Sequence, residues 1–262
     1  MKRLIIAVVV LVGVLLAADY ASAAAAESVV SRQLRERLDL ADDPNVRING
    51  FPFLTQAVRG RYGSIQLTAD HLRVGTLDNV QLRGNLRDVT ASGLIGSGTP
   101  GLRAATVESA VRVGADDLDR MFPQVTPLSF GNIDANGINA LITDKDADPA
   151  LRALDPDSVA RISGTMTIDG KKYQPVVVAE LQAADGTMRV IPRDVRGSDG
   201  DPLPAAVAAQ VTQMFTLRIS PGPLPFGVTP TTLQVRDGSL ELGGEATDLV
   251  VGAAPAATTT DS

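Results

Sequence analysis

The chain has 262 residues, a formal net charge of −6 at pH 7, one histidine and no cysteine. Its length suffices for one large domain, with a core of aliphatic side chains because aromatic residues make up only 3% and tryptophan is absent. The acidic charge disfavours nucleic acid as a partner, and the missing cysteines exclude disulfides, iron–sulfur clusters, thiolate-bound zinc and a lipid anchor on cysteine.

The N-terminal segment has the layout of a secretory signal peptide. Lys2 and Arg3 are basic, Leu4–Ala18 is an unbroken apolar run, and Ala21-Ser22-Ala23 provides small residues for cleavage. The run is shorter than the ~20 residues that a membrane-spanning helix needs. We therefore predict a signal peptide over residues 1–23, with an uncleaved N-terminal membrane anchor as the alternative.

The next segment predicts a helix followed by the first strand of a sheet. Apolar residues recur every four positions over residues 24–40, and Asp42-Asp43-Pro44 ends this helix. After the aromatic Phe51-Pro52-Phe53 and a turn at residues 59–63, the alternation over residues 64–70 predicts a strand. Ile65, Leu67 and Ala69 share one face of that strand.

Residues 73–113 are mostly of period two, which predicts further strands. Asp78-Asn79 and Arg83-Gly84-Asn85 are interpreted as turns between them, and the glycine-rich residues 93–101 as a loop. A short helix is predicted for Asp116–Met121, ended by Pro123.

The second half of the chain predicts more strands and one clear helix. Residues 126–159 are interpreted as an acidic loop around a short helix near Ala150–Leu154, and residues 195–201 as a loop. Asp169-Gly170, Asp185-Gly186 and Asp237-Gly238 are hairpin signals. The predicted strands are residues 162–168, 173–181, 188–191, 216–219, 231–235 and 239–242. Leu203–Phe215 is amphipathic and predicts a helix.

These elements predict an α+β fold with mainly antiparallel strands and no βαβ alternation. We expect one α+β domain over residues 24–252 and a disordered tail over residues 253–262.

Two segments match cofactor motifs only formally. Gly96–Gly101 has the G-x-G-x-x-G spacing, but a strand follows it where dinucleotide binding needs a helix. Asp144, Asp146 and Asp148 imitate a calcium loop, but Pro149 replaces the glycine that makes its sharp turn. A weak, irregular calcium site stays open there, and we expect no cofactor.

No residue pattern indicates an enzyme. His71 is the one histidine, and no G-x-S-x-G elbow supplies a nucleophile for it. Carboxylates are plentiful, so a glycosidase-type pair is not excluded by counting, but nothing singles one out.

The aromatic–proline segments around Phe51 and Phe226 have two interpretations. Their rings either plug the core or line an apolar cavity, since proline fixes the backbone and phenylalanine supplies apolar area. On the second interpretation the candidate lipid-binding residues are Phe51, Phe53, Ile65, Leu67, Val207, Val211, Phe215, Leu224 and Phe226. Arg59 and Arg61 are the candidates for a phosphate headgroup.

Four segments resemble the LmeA-like phospholipid-binding proteins of the actinobacterial cell envelope. They are GFPFLTQ at residues 50–56, GRYG at 60–63, ADDL at 115–118 and LPFG at 224–227. The resemblance implies a periplasmic or envelope-associated protein that binds phospholipids, phosphatidylinositol among them, and supports maturation of lipomannan and lipoarabinomannan. It also implies a fold akin to the tubular lipid-binding proteins of the BPI type, with a curved antiparallel sheet wrapped around helices and an apolar groove.

The resemblance favours a non-enzymatic protein that binds or shuttles phospholipid at the membrane surface. Two alternatives stay open from the sequence. The chain could be an interaction module that stabilises an envelope glycosyltransferase, such as a mannosyltransferase, by protein contact. A hydrolase acting on envelope glycolipids is a more distant alternative.

Overall fold

The computed structural model describes residues 2–38, 40, 42–74, 77–92, 101–121, 123–133, 137 and 154–251. Four predicted features lie wholly or mostly outside these residues. They are the glycine-rich loop at residues 93–100, the calcium-like aspartates at 144–148, the short helix predicted near Ala150–Leu154 and the C-terminal tail at 253–262. The described part is a mixed α and β structure with open antiparallel sheets, as the sequence predicts for the fold class.

The helices are α1 Lys2–Leu38, α2 Phe53–Arg59, α3 Ala115–Met121 and α4 Ala205–Phe215, with 3₁₀ turns at Pro156–Ser158 and Pro225–Gly227. The strands are β1 Asn45–Asn49, β2 Arg61–Val74, β3 Leu77–Ser92, β4 Gly101–Val113, β5 Ser129–Asn132, β6 Val159–Ser163, β7 Met166–Ile168, β8 Lys171–Tyr173, β9 Pro175–Ala184, β10 Thr187–Gly197, β11 Leu217–Ile219, β12 Thr232–Arg236 and β13 Ser239–Val251.

The strands form two main sheets and a small hairpin. The order is β1-β2-β3-β4-β13-β12 in the six-stranded sheet and β11-β10-β9-β6-β5 in the five-stranded sheet, and β7 pairs with β8. The chain divides into two compact units. Unit 1 comprises Met1–Asp70, Arg83–Glu108 and Ala246–Ser262, and unit 2 comprises His71–Leu82 and Ser109–Glu245.

Unit 1 has its core on one face of β2. Leu67 and Ala69 are buried there, Thr68 between them is half-buried, and Gln66 and Asp70 on either side of them are exposed, which agrees with the predicted alternation. β1 pairs antiparallel with β2 and sets Val46 opposite Leu67. The sequence interpretation missed β1, whose five residues are too few for a clear period.

Unit 2 has a larger core, built where α4 packs with the five-stranded sheet. Val207, Val211 and Phe215 recur every four residues on the buried face of α4, as predicted for an amphipathic helix. Three of the hairpins turn at the predicted Asp-Gly pairs. Both residues of each pair have positive φ, the conformation that this turn type requires.

Several predicted boundaries are wrong. The turns at Asp78-Asn79 and Arg83-Gly84-Asn85 do not exist, because β3 runs through both as one strand of 16 residues. Pairing on both sides keeps it extended. At Asp88, with φ 49°, the buried positions shift by one residue, as at a β-bulge.

Two other predicted elements have different limits. The predicted strand 162–168 is two strands, β6 and β7, separated by Gly164 and Thr165. Gly164 lies in a crowded place, where a Cβ would be 2.6 Å from Val125 Cγ1. The predicted loop 195–201 begins later, since β10 extends to Gly197. The predicted loop at 126–159 contains β5, a four-residue edge strand paired with β6.

Candidate lipid-contacting surfaces

Helix α1 is continuous from Lys2 to Leu38, so the predicted helix over residues 24–40 is its second half. Within the described part of the chain, it is the one helix long and apolar enough to cross a membrane. Its large side chains from Leu4 to Leu16 are exposed. A signal sequence has the same properties, so α1 fits both a signal peptide and a membrane anchor.

The second half of α1 is fixed to the start of the globular part. Glu27 Oε1 accepts a 2.8 Å hydrogen bond from the Ile48 N–H of β1. Ser31 Oγ donates to the Pro44 carbonyl, and Arg35 lies 3.2 Å from the Asp43 carboxylate. These contacts make α1 an integral element of unit 1 up to its last turn.

Asp19 extends this attachment into the apolar half of α1. Asp19 is 6% exposed, and its carboxylate accepts hydrogen bonds of 2.8 Å from the N–H groups of both Phe53 and Leu54. These N–H groups begin α2, whose N-cap residue Pro52 has no side-chain acceptor. Asp19 therefore caps α2 from another helix, and its negative charge suits the positive end of the helix dipole.

Helix α2 was missed from the sequence, where its segment was interpreted as an aromatic–proline entry followed by a turn at residues 59–63. The signals were present: Pro52 precedes its first turn, and Gly60 ends it in the left-handed conformation, with φ 62°. Phe53 is buried on one side, while Leu54 and Val58, four residues apart, are exposed on another.

Three exposed apolar side chains lie close together in the sequence, one just before α2 and two on it, and we call them the α2 row. Its members are Phe51, Leu54 and Val58, with exposed fractions of 60%, 43% and 86%. Outside α1, five large apolar side chains are exposed in the described residues, and three of them belong to this row. The Phe51 ring stacks on Tyr20 of α1, with centroids 6.3 Å apart.

The predicted unit 1 residues are divided between core and surface. Phe53 is buried and contacts Tyr62 at a centroid distance of 6.3 Å, whereas Phe51 on the other side of Pro52 is exposed. Leu67 is buried and Ile65 is half-buried. The burial of Tyr62 raises the pKa of its hydroxyl above the usual 10.0.

Arg59 and Arg61, the predicted headgroup residues, flank the glycine that ends α2. Both side chains are exposed, and neither forms an ion pair with any residue that the structure describes. Their guanidinium groups are thus available to an anionic ligand beside the α2 row.

The predicted unit 2 residues lie mostly in its core. Val207, Val211 and Phe215 pack in the main apolar cluster. Leu224 is also buried, and its N–H donates a 2.7 Å hydrogen bond to the Val228 carbonyl across a 3₁₀ turn. Phe226 is half-buried in that turn and has a positive φ of 66°.

A cavity of about 450 Å³ lies in unit 2 near the β12–β13 turn. Its lining residues are Gly131, Asn132, Asp157, Gln234, Val235, Arg236, Asp237 and Gly238. The lining is mostly polar and includes none of the predicted lipid-binding residues. Such a lining does not suit acyl chains, which need apolar walls.

The buried carboxylates of the described residues accept backbone hydrogen bonds or pair with arginines, which are structural roles. Besides Asp19, they are Asp117 and Glu241. Asp117 accepts from the Asn79 N–H and pairs with Arg120. Glu241 lies 3.0 Å from Arg112, and both side chains are nearly buried. His71 is exposed on β2. No nucleophile–base pair is formed by these residues.

The comparisons with known proteins give one match. No curated protein and no solved structure matches the chain. A family model described as LmeA-like phospholipid-binding matches residues 17–245. The matched region contains Asp19, α2, all of unit 2 and the larger part of unit 1. The chain belongs to the LmeA-like phospholipid-binding family.

Proposed function

We propose that this protein is exported, stays anchored in the membrane by α1, and binds phospholipids of the cell envelope without catalysing a reaction. The observation that carries the proposal is the family match over residues 17–245. Phosphatidylinositol-type lipids are the proposed ligands, and the anionic headgroup suits the exposed Arg59 and Arg61.

The proposed topology follows from the charges that flank the apolar run. Lys2 and Arg3 lie directly before the run, as in the basic n-region of an export signal, which stays on the cytoplasmic side while the rest of the chain is carried across. Cleavage after Ala23 would remove Asp19 and Tyr20 and leave the start of α2 without its cap. The family match also begins before this position. Both observations favour an anchor that is retained.

The predicted lipid-binding residues have two proposed roles. The exposed or half-buried members, Phe51, Ile65 and Phe226, contact acyl chains directly, since each buried CH₂ contributes about 0.8 kcal/mol. The buried members support the apolar cores of their own units, Phe53 and Leu67 in unit 1 and Val207, Val211, Phe215 and Leu224 in unit 2. A relation to the tubular lipid-binding proteins, in which a sheet shelters acyl chains, is part of this proposal, as is a single lipid-binding domain over residues 24–252.

The proposed cellular role is support of lipomannan and lipoarabinomannan maturation. A phospholipid-binding protein on the outer face of the membrane that α1 crosses can present or shuttle a phosphatidylinositol-based lipid to a mannosyltransferase. Family membership supports this role, and loss of the long lipoglycans in a deletion strain is the outcome expected.

Native mass spectrometry of the gently purified full chain, followed by lipid extraction, tests the binding proposal. We expect co-purified intact phospholipid and saturable binding of added phosphatidylinositol. The double variant Arg59→Gln/Arg61→Gln should bind more weakly, whereas the matched control Lys171→Gln/Lys172→Gln should not. Absence of bound lipid together with absence of saturable binding would refute the proposal. The intact mass reports separately whether residues 1–23 are retained.

A further inference from the structure

We propose that the α2 row is a second membrane contact, which dips into the outer leaflet of the same bilayer that α1 crosses. The occupant of this surface is a phospholipid bilayer rather than a single lipid molecule. The inference rests on the proposed anchoring by α1, and it assigns a role to Leu54 and Val58, which the phospholipid-binding proposal does not use.

The position of α2 along α1 is the first argument. The apolar run of α1 ends at Ala18, and the next residue, Asp19, holds the first turn of α2 through two 2.8 Å hydrogen bonds. Tyr20 follows and stacks on Phe51. If α1 spans a bilayer, these contacts set α2 at the level where α1 leaves the hydrocarbon.

The length of the apolar run is the second argument. Fifteen residues from Leu4 to Ala18 extend about 22 Å at a rise of about 1.5 Å per residue. The hydrocarbon core is about 30 Å thick, so the run alone is about 8 Å short. An interfacial helix buries its apolar face to a depth of about 5–10 Å, which is the missing length.

The composition of the surface is the third argument. Tyr20 and Phe51 are both largely exposed. The amphipathic ring of tyrosine favours the membrane–water interface, and phenylalanine is typical of the apolar face of an interfacial helix. Arg59 and Arg61 follow the α2 row and face solvent, where they can approach anionic headgroups. Apolar side chains, an exposed phenylalanine and two basic groups thus lie on α2 or within two residues of its ends, beside the end of the apolar run of α1.

A single fluorophore on α2 tests the inference, because the chain has no native cysteine. The full-length Val58→Cys variant carries the polarity-sensitive dye NBD and is reconstituted in vesicles of phosphatidylcholine and phosphatidylinositol. Val58 is 86% exposed, so the label does not disturb the core. Lys172→Cys, an exposed position on β8, is the matched control.

We expect the emission of the label at position 58 to shift to the blue and to be quenched by nitroxide-labelled lipids, while the label at position 172 stays unchanged. The quenching should fall in vesicles of phosphatidylcholine alone, and Arg59→Gln/Arg61→Gln should remove this dependence on anionic lipid. Equal emission at both positions overturns the inference. Shielding that depends on protein concentration and not on nitroxide lipids also overturns it, because a second copy then covers the row.

A Leu54→Ser/Val58→Asp variant separates this inference from the phospholipid-binding proposal. It should lose the vesicle contact, measured with the label at Thr55→Cys, yet keep bound phospholipid in native mass spectra. Bound lipid without membrane contact of the parent protein would refute the α2 inference alone. Membrane contact without bound lipid would refute the phospholipid-binding proposal alone.

Discussion

Asp19 accepts a 2.8 Å hydrogen bond from the backbone N–H of Phe53, a residue 34 positions later in the chain. The acceptor lies in the apolar half of α1 and the donor in the first turn of α2. Pro52 offers no side-chain acceptor at the N-cap, so Asp19 takes that role through this bond and a second one from the Leu54 N–H. The two bonds also connect the N-terminal helix to the globular fold.

Replacement of Asp19 by alanine should destabilise the protein. Two backbone N–H groups would lose their acceptor, one of them on a buried residue, at an expected cost of about 1–3 kcal/mol. Urea unfolding of the detergent-solubilised full chain gives the free energy of unfolding. Asp70→Ala, at an exposed site, is the control and should stay within about 0.5 kcal/mol. Equal values for the two variants would contradict the capping role.

Phe215→Ala tests whether α4 supplies core rather than surface. Phe215 is 3% exposed, and loss of such a ring leaves a cavity that costs about 3–5 kcal/mol. Gln213→Ala on the exposed side of the same helix should change the unfolding free energy by less than about 0.5 kcal/mol. A loss below about 1 kcal/mol for Phe215→Ala in lipid-free protein would show that its ring does not stabilise the core.

Gly60→Ala should be more damaging than an ordinary substitution of a left-handed glycine. Gly60 has φ 62°, and a Cβ there would lie 2.8 Å from the Ala91 carbonyl oxygen. Gly170 has φ 75° with open space around its Cβ position, so Gly170→Ala measures the backbone term alone, about 1–2 kcal/mol. In thermal unfolding, the Gly60→Ala variant should have a clearly lower melting temperature than Gly170→Ala. The reverse order would disprove the close approach of Gly60 to the Ala91 carbonyl oxygen.

The raised pKa of the Tyr62 hydroxyl predicts that the folded protein loses stability at alkaline pH. Burial raises the pKa of its hydroxyl, so the folded state keeps the proton to a higher pH than the unfolded state, whose pKa is about 10.0. This contribution is complete below the unfolded pKa and is lost as the pH rises through the folded pKa. Between about pH 9 and about pH 12, Tyr62→Phe should lose less stability than the wild-type protein. Parallel curves for the two proteins would be evidence against the shift.

Local turn chemistry explains which parts of the fold were predictable. Asp169-Gly170, Asp185-Gly186 and Asp237-Gly238 specify their hairpins within two residues, and the predicted turns are confirmed. Arg83-Gly84-Asn85 carries a similar signal, but pairing of β3 with strands on both sides overrides it. The short strand β1 was not predicted for a related reason, since it is stabilised by its pairing with β2 rather than by its own sequence.

The candidate surface was only partly predictable. The importance of the Phe51-Pro52-Phe53 segment could be inferred from its composition, but the two rings point to different environments, one exposed and one buried. Leu54 and Val58 were missed because their row depends on α2, and α2 depends on a cap from Asp19 in a segment set aside as a signal peptide. A long-range contact of this kind leaves no trace in local periodicity.

The bonds from Glu27, Ser31 and Arg35 to the beginning of the globular part have a mechanical consequence. With α1 retained in the bilayer, unit 1 has no slack tether on which to swing outwards. Unit 1 would diffuse laterally in the plane of the membrane and could not carry a lipid across the aqueous gap to a second membrane. Any lipid handed over by unit 1 would then pass to a recipient that comes to this membrane face.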